Sequence, residues 1–335
     1  MNETHVIAHN PEMLGMVDLK PDIEFACPDG ERLALQLLKP MWKSPEGKGF
    51  PLVVFIQGSA WQKPNQFWQL PQLSLLSRRG FVIASVTHRA CWTAKAPAFL
   101  QDVKSAIRFL RAHAEEYDID KERVCAWGTS SGGNTALLLG LTGDDPAFET
   151  ELWAGESTRV QAVVDCFGPS NLVYMLTKER RHEGPEGVAL FTALAGCKLV
   201  GEDGEPTPEG VAALKMISPE YYVEKGRNLP PFLLLHGDAD PVVLYSDSDR
   251  MHEKLTSCGY ESQLVKVTDA PHEGSFWSME LLEIIFAFIQ EKIGYWFTRP
   301  SCNSNVLFSA FKAGFGRAFF SCIQRYGIIH PERSL

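Results

Sequence analysis

One short motif carries most of the reactive chemistry in this chain. It is Trp127-Gly128-Thr129-Ser130-Ser131-Gly132-Gly133, a G-x-S-x-G pattern between a strand-like run and an apolar helix-like run. A serine on a tight strand-to-helix turn takes a strained backbone conformation that pushes its Oγ out of the sheet. Gly128 and Gly132 leave room for that turn because they lack side chains. A helix starting just after Ser130 aims free N–H groups and its positive dipole end at the same point, where an oxyanion formed on an attacked carbonyl would be stabilised.

A serine hydroxyl is a weak nucleophile near neutral pH, so it needs a general base, and the base needs an orienting carboxylate. Leu235-His236-Gly237-Asp238-Ala239-Asp240 follows one strand-like run, and Pro271-His272-Glu273-Gly274 follows another. Both Asp240 and His272 then fall at carboxyl ends of strands, where open α/β sheets place their sites. Ser130, Asp240 and His272 are the expected catalytic residues. Asp238 competes for the carboxylate role, or ties down its loop by accepting backbone N–H groups. A second oxyanion donor is expected from Gln57-Gly58-Ser59-Ala60-Trp61, which directly follows a strand-like run, so the expected hole combines the N–H groups of Ser59, Ala60 and Ser131. Trp61, Trp92, Phe167, Phe276 and Trp277 lie in or beside these loops. Aromatic walls suit an acyl group or a sugar face, and Trp61, Phe167 and Trp277 are the expected substrate contacts.

The elements that must position these residues follow from periodicity. Residues 51–56, 81–86, 124–127, 160–164 and 232–235 are apolar runs of strand length, and 262–267 alternates more. Runs apolar on both faces suit a parallel sheet covered by helices on each side. Residues 98–117 place Val103, Ala106, Ile107, Leu110 and Ala114 on one stripe, and residues 281–293 do the same with Leu282, Ile285, Phe286 and Ile289. Residues 17–39 read as two antiparallel strands joined at Pro28-Asp29-Gly30. The fold class is α/β with a mostly parallel sheet and an antiparallel N-terminal edge.

Residues 174–216 interrupt this rhythm with Gly, Glu and Pro and read as an insertion of loops and short helices, either a surface excursion or a cap-like segment over a binding cleft. The expected organisation is a catalytic domain over 1–298 and a tail over 299–335. The tail carries five basic residues and one acidic, with Phe308, Phe311, Phe315 and Phe319 at helical spacing. It reads as a docked helix or a loose tail, or as a surface for weak contact with a membrane or a partner.

The chain has 335 residues, 45% hydrophobic and 22% charged, which is ordinary for a globular protein. A net charge of −9 repels phosphate backbones and argues against nucleic acid as a partner. The longest apolar stretch near the end, 281–289, is too short to span a bilayer. Eight scattered cysteines without a C-x-x-C pair read as reduced thiols, and with no secretory-type start the expected location is cytoplasmic.

On these residues the chain resembles the α/β-hydrolases, specifically the esterase/lipase branch that contains hormone-sensitive-lipase-like carboxylesterases and the bifunctional feruloyl and acetyl xylan esterases. The resemblance covers roughly residues 20–295. It extends to Ser85-Val-Thr-His-Arg89, Asp102-Val-Lys-Ser-Ala-Ile-Arg-Phe-Leu110, Phe167-Gly-Pro-Ser-Asn-Leu172 and Ser218-Pro-Glu-Tyr-Tyr-Val223. Two departures stand out: the family's oxyanion loop usually begins His-Gly-Gly where this chain has Gln57-Gly58-Ser59, and its usual Tyr before Arg is His88, read here as structural. The resemblance implies a serine esterase acting on short acyl or feruloyl and acetyl esters of small molecules, some of them sugars, without metal or organic cofactor. Homo-oligomerisation is compatible with it. Peptide or amide hydrolysis of the prolyl-oligopeptidase or formamidase type uses the same three residues and is the rival reading; a non-catalytic binding protein is the other.

Overall fold

The computed structural model describes residues 4–176 and 184–294, all within one compact unit that runs to Gly294. The aromatic stripe and basic residues of 299–335, and residues 177–183 of the insertion, lie outside the described residues.

Eight strands form one sheet among the described residues: β1 (Val17–Ala26), β2 (Leu33–Pro40), β3 (Phe50–Ile56), β4 (Val82–Val86), β5 (Ile119–Thr129), β6 (Ala162–Cys166), β7 (Phe232–Gly237) and β8 (Ser262–Val267). Their spatial order is β1-β2-β4-β3-β5-β6-β7-β8. β1 and β2 pair antiparallel, β2 pairs antiparallel with β4, and every later pairing is parallel. The antiparallel hairpin expected at Pro28-Asp29-Gly30 is present; Asp29 takes φ 51 and Gly30 φ 80 to reverse the chain.

The helices are α1 (Leu70–Ser77), α2 (Ala98–Ala112), α3 (Ala114–Tyr117), α4 (Ser131–Thr142), α5 (Gly184–Ala195), α6 (Pro208–Met216), α7 (Tyr245–Ser257) and α8 (Met279–Ile293). The continuous apolar strands are explained by a core on both sheet faces. In β3, Leu52, Val54 and Ile56 join the cluster that holds Val103 and Leu110 of α2, Leu137 and Leu141 of α4 and Met251 of α7. Val53 and Phe55 alternate into the other cluster, with Leu73 of α1 and Ile285, Phe286 and Ile289 of α8. The sheet is thereby sealed on both faces, and its carboxyl-end loops rest on rigid strands.

Outside the sheet, α5 and α6 are inserted between β6 and β7. Phe191, Leu194 and Leu214 bury themselves in the α2–α4–α7 cluster, and the Leu194 carbonyl accepts the Ala96 N–H at 2.8 Å. The Ser85–Arg89 segment is fixed by a bidentate ion pair: the Arg89 guanidinium donates to the nearly buried Asp102 carboxylate of α2 at 2.9–3.2 Å. His88 is buried and faces the Arg89 carbonyl at 2.8 Å through Nδ1. Burial pushes its pKa down, as suits a structural histidine. The described cysteines are free thiols, and no described helix is long and apolar enough to cross a membrane.

Candidate active site

Ser130 sits between the end of β5 and the start of α4 with φ 51 and ψ −123, a conformation that costs a non-glycine residue about 1–3 kcal/mol. Close backbone approach makes this turn possible. A Cβ on Gly128 would lie 2.0 Å from the Gly132 carbonyl oxygen, and one on Gly132 would lie 2.0 Å from that of Ile56. One on Gly58 would lie 2.6 Å from the Ser130 Cβ, so the loop after β3 is pressed directly onto the turn.

The three residues singled out from the sequence meet. His272 Nε2 is 2.8 Å from Ser130 Oγ, and His272 Nδ1 is 2.7 Å from Asp240 Oδ2. The carboxylate only accepts, so Nδ1 carries the proton and Nε2 is free to accept from the Ser130 hydroxyl. Oδ1 of Asp240 accepts the N–H groups of Val242 and Val243 at 2.8 and 3.0 Å. Burial raises the Asp240 pKa, but hydrogen bonds from His236 and His272 outweigh it and hold the carboxyl well below the ordinary range. Asp238 takes the alternative role: its Oδ1 accepts the Asp269 N–H at 2.7 Å and joins the β7 and β8 loops.

The oxyanion side differs from expectation at one residue. The N–H of Ser59 donates to Ser131 Oγ at 2.9 Å and that of Gly58 to Thr129 Oγ1 at 2.8 Å, so hydroxyls on both sides of Ser130 anchor the loop. Ser59 is therefore not a free donor in this conformation. Its own hydroxyl donates to the Gln62 carbonyl at 2.5 Å, across a turn in which Ala60 and Trp61 have φ 50 and 54. The N–H groups of Ala60 and Ser131 have no acceptor among the described residues.

Two of the three expected substrate contacts, Trp61 and Phe167, are buried in this structure. Trp61 is 4% exposed and packs against Phe99 and Phe191, with centroids at 6.3 and 6.0 Å. An indole covered by neighbouring rings buries more apolar area than one standing open, and α5 of the insertion supplies one of those rings. Phe167 is fully buried at φ 47, with its ring 4.7 Å from the His272 ring and 4.8 Å from that of Phe276. It backs the imidazole and forms no open wall. Trp277 is half-buried, 6.1 Å from Phe167, and its indole N–H donates to Glu273 at 2.8 Å. Trp92 is 56% exposed.

Sequence reasoning missed Glu273 and His236. Glu273 follows His272 directly, and burial pushes its pKa up. His236 is fully buried on β7 and also reaches Asp240. The available signal was a histidine inside an apolar strand run, four residues before the carboxylate.

A strained serine at a strand-to-helix turn, a histidine and a carboxylate on the later loops, and this strand order define the α/β-hydrolase fold. The chain belongs to the BD-FAE family, whose model matches residues 38–255. It is similar to the esterase LipC of Mycobacterium tuberculosis, 31% identical over 209 residues that cover 62% of this chain and 49% of LipC. The esterase LipQ of the same organism is 27% identical over 226 residues, covering 65% of this chain and 49% of LipQ. The chain thus spans about half the length of the curated relatives it matches. Among solved structures, a truncated carbohydrate esterase from gut microbiota superposes with TM-score 0.70 at 25% identity, covering 85% of this chain and 99% of that one. Propionate-bound Est2, an esterase of Thermogutta terrifontis, superposes with TM-score 0.65 at 25% identity, covering 86% and 98%.

Proposed function

We propose that this protein is a carboxylic ester hydrolase that works through an acyl-enzyme on Ser130. The observation that carries the reading is the unbroken hydrogen-bonded chain from Ser130 Oγ through His272 to Asp240. Ser130 Oγ attacks the ester carbonyl while its proton passes to His272 Nε2. Asp240 holds the imidazolium, and the N–H groups of Ala60 and Ser131 receive the oxyanion. The tetrahedral intermediate collapses, the C–O bond breaks, and His272 returns the proton to the leaving alcohol. Water, activated by the same imidazole, then releases the acid and restores the serine. Every step uses side chains and backbone of this chain, with no metal or cofactor.

Short acyl esters are the proposed substrates, with feruloyl and acetyl esters of sugars among them. Support comes from the propionate- and butyrate-bound forms of Est2 and from the carbohydrate esterase, whose folds match this one. Trp277 and Trp92, which keep exposed surface beside the site loops, are the proposed substrate-facing rings.

The test is hydrolysis of p-nitrophenyl acetate, butyrate and octanoate, methyl ferulate and matched anilides. Fluorophosphonate labelling of the native protein and of Ser130→Ala runs alongside. The expected result is ester turnover favouring short acyl groups, with labelling lost in the variant. Preference for the anilides would give the site to amide chemistry, and labelling that survives Ser130→Ala would remove Ser130 as nucleophile.

A further inference from the structure

Behind Asp240 the hydrogen-bonded chain continues into the protein. His236 is on β7, with no exposed surface. Its Nε2 lies 2.8 Å from the Val243 carbonyl oxygen and 3.2 Å from Asp240 Oδ2. Its Nδ1 lies 2.7 Å from Oγ of Ser248, a residue 1% exposed on α7. Both neighbours of Nε2 can only accept, whereas a serine hydroxyl can donate. The ring therefore carries its proton on Nε2, and Ser248 donates to Nδ1. The other tautomer would set an imidazole lone pair against a carboxylate and a carbonyl with no water to intervene.

This arrangement fixes Asp240 twice. His236 touches Oδ2 directly, beside the bond from His272. It also ties down the carbonyl of Val243, whose N–H, with that of Val242, holds Oδ1. With two donors on each oxygen, the carboxylate has one orientation, and that orientation presents Oδ2 to His272 Nδ1. We infer that His236, held in its Nε2–H tautomer by Ser248, is a positioning residue for Asp240 and through it for the general base. The inference rests on the triad reading above and adds two residues to it, making a chain Ser248–His236–Asp240–His272–Ser130.

The experiment compares His236→Leu, His236→Gln and Ser248→Ala with the native full chain. Active sites are counted by fluorophosphonate titration, so kcat is expressed per competent site and unfolded material drops out. Melting temperature is recorded in parallel. His236→Leu is expected to lower kcat by about 10- to 100-fold, the scale of a misplaced catalytic group, with KM within about twofold. His236→Gln, whose amide N–H can reach the position of Nε2, is expected to recover most of that loss. Ser248→Ala is expected to lose a few-fold in kcat, and it keeps the inference testable if His236→Leu does not fold. A residue that serves only packing would change the melting temperature and leave kcat per titrated site at the native value; that result in the folded variants, or a Gln variant as impaired as Leu, overturns the inference. A native protein that hydrolyses no ester, or whose hydrolysis survives Ser130→Ala, instead overturns the underlying triad reading.

Discussion

The two halves of the candidate site are built by different physics. The nucleophile half, around Ser130 and the loop after β3, is made by backbone: a positive-φ serine, glycines in near contact, and N–H groups left open at the start of α4. The acid–base half, around Asp240 and His272, is made by polar contacts, with each Asp240 oxygen held by two donors, an imidazole pair on Oδ2 and a backbone N–H pair on Oδ1. The first has no tolerance for added volume and the second none for a lost partner, because close-packed backbone cannot yield and a buried polar atom without a partner is costly.

The largest expected effect falls on both halves together. Ser130→Ala and His272→Ala should each lower kcat by about 10⁴-fold or more, and the double variant should lose little beyond either single one, because the residues act as a unit. Additive losses in p-nitrophenyl butyrate kinetics would break the picture of one joined site. Volume comes next. Gly132→Ala puts a methyl group 2.0 Å from the Ile56 carbonyl oxygen, and urea unfolding should show a loss of about 3 kcal/mol or outright failure to fold. A native-like unfolding curve for that variant would contradict the backbone account of the nucleophile half.

A subtler change separates anchor from donor. Ser131→Ala removes the hydroxyl that accepts the Ser59 N–H, and kcat should fall about 10-fold at nearly constant KM as the loop loses a fixing point. A rise in kcat would mean that the released Ser59 N–H itself serves the oxyanion.

The smallest expected effect lies at the seam between the halves. Asp165, at the end of β6, is almost fully buried under Gly133 and Gly168; its Oδ1 accepts the Gly168 N–H at 3.0 Å, and Oδ2 has no partner among the described residues. Burial, with the nearby Asp247 carboxylate, raises its pKa well above the ordinary value. A raised carboxyl contributes its full stability below about pH 4 and loses it as pH rises toward the folded-state pKa. Asp165→Asn should therefore gain melting temperature relative to the native protein as the pH is raised from about 5 to about 8. Parallel melts at the two pH values check this, and a constant difference would mean that Asp165 does not titrate there.

Much of this molecule was legible in the chain itself. Strands apolar on both faces could only be sealed between two helical layers, and the β1–β2 hairpin followed from Pro28-Asp29-Gly30. Gly128, Ser130 and Gly132 announced a turn, and Asp240 and His272 fell at strand ends where the fold gathers its loops. These are local signals, set by side-chain period and by which residues a tight turn admits.

What only the tertiary structure decided was how polar atoms pair and which aromatic faces are covered. The Ser59 N–H meets the Ser131 hydroxyl across 72 residues of chain, Trp61 is enclosed by Phe191 from a later insertion, and Phe167 turns inward against His272. A residue's type states that it can donate, accept or bury area. The partner that satisfies it is chosen by the packing of segments far apart in sequence, and no local pattern encodes that choice.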